Sequence, residues 1–355
     1  MSGGVDSSLS AVLLKEAGFE VVGLTMVLFD RTGNDGSDGD GSGNDSPAAV
    51  AAKKVADDAG IPHYTVNLSA KFESAIIDYF LKTYTSGATP NPCVRCNKLV
   101  KWNLLRQKAR EIGCDLLATG HYARIARYRD GTNTLMTGVD RTKDQSYFLW
   151  KLDSNDLSTT VFPLGMRTKT DTRRSAEKRR LVTSQRAESQ EICFIPDNDY
   201  RRFLRERLND NLPVSMNEGN IIDREGKTIG KHHGIAFYTI GQRRGLGLAV
   251  GYPVYVTALD AERNLVRVGQ KEELLSRSMV VQEANWSRGF PPRDVFRCLT
   301  RIRYRHPGAM ADVAVTPDGI MVTFDKPQSA ITPGQSAVFY DGDIVLGGGI
   351  IDKTE

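Results

Sequence analysis

The stretch Ser2-Gly3-Gly4-Val5-Asp6-Ser7-Ser8 decides the fold of the first part of this chain. The residues that follow, as far as Gly18, have a capping-type start and a glycine end, which predicts a helix. Glycines let the backbone approach an anion closely, and the free N–H groups at a helix start attract it. The stretch therefore predicts a phosphate-binding loop; an ordinary capped turn is the alternative. The Asp6 carboxylate suits Mg²⁺ that accompanies a nucleotide.

Helical patterns and buried apolar runs alternate along the rest of this region. They lie at 21–29, 48–60, 62–68, 72–83, 98–113 and 115–120. Residues 31–46 are almost only Gly, Asp, Asn and Ser, which predicts a loop. The alternation predicts an α/β fold with a doubly wound parallel sheet.

From about Gly219 the pattern changes to short alternating runs separated by Gly, Asp and Pro turns. Such runs, typical of β-strands, occur at 253–258, 265–268, 321–324 and 336–340. We expect a small, mainly β middle domain and a C-terminal β-barrel. The predicted domains are 1–205, with a basic helical segment at its end, 206–275 and 276–355.

A phosphate loop of this kind ordinarily follows the first strand of its sheet. Here Met1 directly precedes the loop, so that strand is absent from the printed sequence. We expect either that the strand lies upstream of the printed start or that the domain is incomplete.

Composition sets broad limits on function. The 355 residues are 40% hydrophobic and 25% charged, which is ordinary for globular domains. A net charge of +4 permits a polyanionic partner without requiring one. The basic residues between Arg167 and Arg205 suit either RNA contact or a solvated helix face. No apolar run is long enough to span a bilayer, and five unevenly spaced cysteines suit a reducing compartment, so we expect a cytoplasmic protein without a membrane partner.

Two thiols stand in the stretch Asn91-Pro-Cys-Val-Arg-Cys-Asn97, before a helix predicted to begin near Lys98. Cationic Arg95 and Lys98 and the helix start predict a lowered thiol pKa, as nucleophilic or sulfur-transfer chemistry requires. Cys193 supplies a third thiol. The two other cysteines, Cys114 and Cys298, are expected to be small buried apolar residues.

Ser2-Gly-Gly-Val-Asp-Ser7 resembles the PP-loop of the ATP pyrophosphatases, which cleave ATP between its α and β phosphates. The Gly-Lys-Ser/Thr ending of kinase-type loops is absent. A longer ordered set resembles the bacterial tRNA-specific 2-thiouridylases nearly from end to end. It comprises Thr119–Tyr122, Lys143–Leu149, Ser189–Phe194, Tyr238–Gly247, Tyr304–Pro307, Pro327–Gln335 and Val345–Gly349.

The resemblance implies ATP-dependent 2-thiolation of the wobble uridine, position 34, in the tRNAs for glutamate, glutamine and lysine. ATP with Mg²⁺ would adenylate the base oxygen, and a cysteine persulfide charged by a sulfur-relay protein would supply sulfur, with release of AMP and pyrophosphate. The implied ATP-binding residues are Ser2, Gly3, Gly4, Val5, Asp6, Ser7, Met26 and Gly120.

The same resemblance implies that Cys193 carries the persulfide. Cys96 would be the partner thiol, which either releases sulfide from the persulfide or attacks it, leaving a transient Cys96–Cys193 disulfide. The residues implied to contact tRNA are His121, Lys143, Asp144, Gln145, Arg303, Tyr304 and Gln335.

Cys93 departs from the family pattern, in which some members carry Asp at this position. With Cys96 and Cys193 it could hold three corners of a [4Fe–4S] cluster, or it could be a spare thiol or a persulfide shuttle. Two other functions stay open: a PP-loop ligase acting on a small molecule, and a non-catalytic RNA-binding protein with a vestigial loop.

Overall fold

The computed structural model describes residues 1–28, 46–187, 192–208 and 213–354. The predicted loop at 31–46 lies outside these residues except for Ser46, and part of the 189–194 motif lies outside them too. The Ser46 hydroxyl accepts a hydrogen bond from Ala49 N at 3.1 Å and caps the next helix.

Helices alternate with strands through residue 208. The elements are α1 (Val5–Glu16), β1 (Gly23–Val27), α2 (Pro47–Asp58), β2 (His63–Asn67), α3 (Ser69–Phe72), α4 (Asp78–Thr85), α5 (Pro92–Cys96), α6 (Arg106–Glu111), β3 (Leu117–Ala118), β4 (Ala123–Arg127), β5 (Asn133–Thr137), α7 (Ser154–Ser158), β6 (Thr160–Val161), α8 (Lys169–Lys178) and α9 (Tyr200–Leu208). Strand β1 pairs in parallel with β2, and β3 with β6. Among the described residues up to 208, the parallel strands thus form two separate pairs.

Two π-helical segments join short α-helices into longer ones. Glu73–Ile77 links α3 to α4, and Asn97–Leu105 links α5 to α6. The second long helix therefore begins at Pro92, and the prediction of a start near Lys98 is wrong. Proline suits a first helical position because its φ is already helical and its missing N–H would have no partner there. Both cysteines of the motif consequently lie inside the helix.

The middle of the chain forms a four-stranded sheet. Its strands are β7 (Gly219–Ile222), β8 (Thr228–His232), β9 (Tyr255–Asp260) and β10 (Leu265–Gly269), in the spatial order β8-β7-β10-β9. Only the β7–β10 pair is parallel among these neighbours.

The last part of the chain is a closed six-stranded barrel. Its strands are β11 (Leu275–Trp286), β12 (Val295–Arg301), β13 (Ala309–Thr316), β14 (Gly319–Ser329), β15 (Ser336–Asp341) and β16 (Ile344–Thr354). Pairing of β11 with both β14 and β16 closes the barrel. The predicted fold class, parallel strands with helices followed by a β middle part and a C-terminal barrel, is confirmed.

The β4–β5 hairpin belongs by sequence to the N-terminal part but extends the barrel sheet. Met136 in β5 pairs with Ile344 in β16, and Arg124 forms an ion pair with Asp343 at 2.5 Å. A single hydrophobic cluster also runs through all three parts of the chain. Among the described residues, no helix is both long and apolar enough to cross a bilayer.

Candidate nucleotide and thiol site

Two glycines fix the position of the N-terminal loop. Gly3 has φ +67°, and a Cβ there would lie 2.4 Å from the carbonyl oxygen of Ala48. A Cβ on Gly120, just after β3, would lie 2.8 Å from the carbonyl carbon of Asp6. No larger side chain fits either position without a shift of backbone. The loop is thus seated between the start of α2 and the end of β3.

Serine hydroxyls brace this loop from within. The Ser7 hydroxyl accepts a hydrogen bond from Ser2 N at 3.0 Å and donates to the Gly4 carbonyl at 3.2 Å. Gly4 is the N-cap of α1 in an extended conformation. The loop therefore presents its backbone at a helix start, where N–H groups are free for an anion. Of the other predicted ATP-binding residues, Val5 is buried and Met26 is half-buried in β1.

Lys169 and Tyr122 hold Asp6, and neither is among the predicted ATP-binding residues. Lys169, the first residue of α8, donates to both carboxylate oxygens at 2.7 Å. The Tyr122 hydroxyl donates to Asp6 Oδ1 at 2.9 Å. Lys169 is separated from the loop by more than 160 residues, and only its unusual burial marks it, which sequence cannot show.

The three predicted site thiols share one electrostatic environment. Burial is the main cause that raises the pKa of Cys93 to about 11 and that of Cys193 to about 12, and charge repulsion from neighbouring thiolates adds to it. The pKa of Cys96 is also raised by burial. Cys93 and Cys193 nevertheless retain exposed surface, which indicates a cleft enclosed by protein but open to solvent.

The prediction that Arg95 and Lys98 lower the thiol pKa is wrong. Arg95 donates to the Ala75 carbonyl at 2.9 Å, and Lys98 forms ion pairs with Asp153 and Asp156. Both cations are therefore committed elsewhere, and desolvation raises the pKa of the thiols instead of lowering it.

Lys101 is the cation that acts on all three thiols, where it opposes the rise in their pKa. It lies in the π-helical segment five residues after Cys96. The i→i+5 hydrogen bonds of a π-helix widen each turn beyond 3.6 residues, so Lys101 lies nearer to the face of Cys96 than it would in an α-helix. Sequence pattern alone gave no sign of the π-helix, and Lys101 was missed for that reason.

His121 connects the thiols to the nucleotide loop. Its Nε2 lies 3.5 Å from Lys101 Nζ, and its Nδ1 lies 2.8 Å from the Thr119 hydroxyl. Burial lowers the pKa of His121 well below the ordinary value, so the ring is neutral. Because an ammonium only donates, Nε2 is the acceptor and Nδ1 carries the proton. His121 directly follows Gly120, which contacts the loop.

The residues predicted to contact tRNA divide into two groups. Arg303 is exposed, whereas Lys143, Gln145 and Tyr304 are partly exposed. Asp144 is 2% exposed, and its carboxylate accepts hydrogen bonds from Gly138 N and Ser146 and pairs with Arg301 at 3.2 Å. A direct tRNA contact by Asp144 does not fit this burial, and its hydrogen bonds hold the loop between Gly138 and Ser146.

Gln335 also has partners inside the protein. Its amide nitrogen donates to the carbonyls of Thr89 and Pro90 at 3.1 Å. These bonds tie the barrel to the segment that leads into the cysteine helix. The amide oxygen has no hydrogen bond among those of the described residues, which leaves it available to a ligand.

No group of three or more His, Cys, Asp and Glu in the described residues is arranged to hold a metal ion. Cys93, Cys96 and Cys193 are described and are free cysteines. The suggested iron–sulfur cluster therefore lacks support. Cys298 is buried as predicted, but Cys114 is partly exposed, so the expectation of a buried Cys114 is wrong.

Most of the basic residues between Arg167 and Arg205 pair with other groups of the protein. Arg179 pairs with Glu16, Arg202 pairs with Asp197 and Glu206, and Arg186 donates to the Gly3 carbonyl at 2.8 Å. Arg205 lies over the ring of Phe237 at 4.6 Å. The exposed Arg180, just after α8, is left as a candidate for contact with an anionic partner.

Fold and site together define a class: a nucleotide-binding α/β domain with a glycine-serine loop, a cysteine group beside it, and two appended β domains. Three family models match in the same order. They are the tRNA methyl transferase HUP domain over residues 1–197, the tRNA methyl transferase PRC-barrel domain over 203–270 and the aminomethyltransferase β-barrel domain over 276–351.

Curated relatives carry a more specific name. The chain is 46% identical to the tRNA-specific 2-thiouridylase MnmA of Chloroflexus aggregans over 360 residues, which cover 100% of this chain and 98% of the relative. It is 45% identical to that of Heliobacterium modesticaldum, with 100% and 91% coverage. It is 46% identical to that of Geobacter metallireducens, with 100% and 96% coverage. The chain belongs to the tRNA-specific 2-thiouridylase family.

Proposed function

We propose that this protein is a tRNA-uridine 2-sulfurtransferase that uses ATP and Mg²⁺. The observation that carries the proposal is the short connection from the phosphate loop through Gly120 and His121 to Lys101 and the three thiols. A nucleotide site and a sulfur site thus adjoin, as adenylation followed by sulfur transfer requires. The relatives named above support the substrate assignment.

Adenylation prepares the base for sulfur. The uridine O2 attacks the α-phosphorus of ATP, the bond from that phosphorus to the bridging oxygen breaks, and pyrophosphate leaves. Free N–H groups at the start of α1 are placed to hold phosphate oxygens, and the carboxylate of Asp6 can hold Mg²⁺. Oxygen at C2 then departs as part of AMP, a far better leaving group than hydroxide.

Sulfur enters as the terminal atom of a persulfide on Cys193. The Cys96 thiolate attacks Sγ of Cys193, which forms the Cys96–Cys193 disulfide and breaks the bond from Sγ to the terminal sulfur. The terminal sulfur keeps that electron pair and bonds to C2 of the base as the bond from C2 to oxygen breaks and AMP leaves. Two external thiols, or one dithiol, then reduce this disulfide and are themselves oxidised to a disulfide. Lys101 stabilises the anionic sulfur, and Cys93 is a spare thiol or a second persulfide position.

Partner, tRNA contacts and location complete the proposal. Lys143, Gln145, Arg303 and Tyr304 contact the tRNA, and the Gln335 amide oxygen contributes an acceptor. The substrates are the tRNAs for glutamate, glutamine and lysine, at position 34. A persulfide-donating relay protein charges Cys193 in the cytoplasm. Residues 1–205 form the catalytic domain, residues 206–275 the middle domain and residues 276–355 the barrel domain.

The test compares AMP formation with and without unmodified glutamate tRNA, in the presence of ATP and Mg²⁺. The proposal expects AMP only with tRNA, together with thiouridine when persulfide is added. AMP without RNA would favour a small-molecule ligase. tRNA binding without AMP, unchanged in Asp6→Ala, would favour a non-catalytic RNA-binding protein.

A further inference from the structure

Lys169 occupies an unusual position for a lysine. It is 8% exposed and begins α8, after the N-cap Thr168. Its backbone N–H donates to Asp140 at 2.9 Å, and its ammonium also lies 5.6 Å from the centre of the Tyr122 ring. Lysine is almost never this buried without an anionic partner. The partner here is the carboxylate of the phosphate loop itself.

The loop lacks a cation of its own. Residues 2–8 contain one carboxylate and neither Lys nor Arg, although the ligand they serve is strongly anionic. Other nucleotide loops carry a lysine for this purpose. Arg186 also reaches the loop, but it is exposed and donates to main-chain carbonyls of Gly3 and Pro47. Lys169 is the cation that faces the same space as the Asp6 carboxylate.

Both oxygens of Asp6 are occupied. Each accepts a hydrogen bond from Lys169 at 2.7 Å, and Oδ1 accepts another from Tyr122. Mg²⁺ binds a carboxylate oxygen at about 2.0–2.1 Å, and a second cation so close to the Lys169 ammonium repels it, so metal coordination favours release of the ammonium from Asp6. The side chain of Lys169 is held by its buried stem, so the ammonium stays in the site, where incoming phosphate is the nearest new anion.

We propose that Lys169 is the phosphate-binding cation of this nucleotide site, and that Asp6 exchanges Lys169 for Mg²⁺ when the nucleotide arrives. Without nucleotide the carboxylate neutralises the buried ammonium. With nucleotide each member of the pair takes its own partner, phosphate for Lys169 and metal for Asp6. This deepens the proposed function at its nucleotide site and does not depend on the identity of the sulfur acceptor.

The test measures ATP binding by isothermal titration in EDTA, where Asp6 has no metal to hold. The full-length chain is compared as D6N, D6N/K169M, D6N/K169R and D6N/K178M. Changing both members of the pair avoids a buried unpaired carboxylate that could unfold K169M. Lys178 is the matched control, because it is an exposed lysine in the last turn of the same helix.

D6N and D6N/K178M are expected to bind metal-free ATP equally. D6N/K169M is expected to bind about tenfold or more weakly, as the loss of one charged hydrogen bond predicts, and D6N/K169R to recover most of the binding. Equal binding by D6N and D6N/K169M, or no measurable binding by D6N, would overturn the proposal. A chain that fails to thiolate tRNA but keeps this pattern would refute the proposed function alone.

Discussion

Cys193 combines exposed surface with a pKa raised to about 12, mainly by burial of the thiol within the cleft. A resting thiol at this position is protonated near neutral pH and is a weak nucleophile. A persulfide has a lower intrinsic pKa than a thiol. Under the proposed function, burial would therefore leave the Cys193 thiol inert and its persulfide reactive.

Alkylation of Cys193 by iodoacetamide should therefore rise about tenfold per pH unit between pH 8 and pH 10, because only the thiolate reacts and its fraction grows at that rate below the pKa. Peptide mass spectrometry of the reduced protein measures the rate of alkylation at each pH. Labelling that already levels off at pH 8 would contradict the raised pKa.

Lys101→Met should lower persulfide-dependent thiolation about tenfold or more while AMP formation changes little, because the change removes the cation that opposes the raised thiol pKa. Lys108→Met, an exposed lysine in α6, is the matched control and should leave both rates unchanged. Equal loss of AMP formation and thiolation in Lys101→Met would show that Lys101 acts in folding or in nucleotide binding instead.

At the scale of elements, the barrel contacts the segment that directly precedes α5, the helix that carries Cys93 and Cys96. Thr89 N donates to the Pro333 carbonyl at 2.9 Å, and Gln335 donates to the Thr89 and Pro90 carbonyls. Gly334 lies between these contacts with φ +87°, and a Cβ there would lie 2.7 Å from the Thr89 carbonyl oxygen. The helix that carries Cys96 is thus positioned from outside its own domain.

Gly334→Ala should destabilise the protein by about 1–3 kcal/mol more than Gly342→Ala. Both glycines have positive φ, but a Cβ on Gly342 meets nothing within 4 Å. Both variants carry the strain of a positive φ. The difference between their free energies of unfolding therefore measures the clash of the new Cβ with Thr89. Chemical denaturation of the two variants measures it; equal destabilisation would show that the barrel does not press on this segment.

Sequence predicted the alternation of strands and helices well, because apolar runs and capping residues are local signals. It missed the start at Pro92 of the helix that carries Cys93 and Cys96, because the π-helical segment that continues this helix leaves no mark in the hydrophobic periodicity. The Lys169–Asp6 pair was beyond its reach, since the two residues are brought together only by packing of α8 against α1. Resemblance supplied the thiol roles that spacing alone could not.

At the scale of the whole molecule, the three parts share a core. Phe80, Phe237 and Val338 belong to one buried cluster, although they come from the α/β part, the middle part and the barrel. The β4–β5 hairpin also continues the barrel sheet. Elements that share buried apolar surface unfold together.

Calorimetry should therefore show one cooperative unfolding transition for the full chain, with agreement between calorimetric and van't Hoff enthalpies. The control is Asp343→Asn, which weakens the ion pairs of Arg124 and Arg141 at the hairpin and should lower the transition temperature without splitting it. Two resolved transitions in the unaltered chain would show that the barrel is an independent unit.

The central claim is that Cys193 relays sulfur to an adenylated tRNA uridine. Thiolation of unmodified glutamate tRNA with ATP, Mg²⁺ and limiting persulfide tests it most directly, with Cys193→Ala compared against Cys114→Ala, a partly exposed cysteine outside the thiol group. The account predicts thiouridine and AMP from the unaltered chain and from Cys114→Ala, and no thiouridine from Cys193→Ala. Equal thiouridine from Cys193→Ala would contradict it.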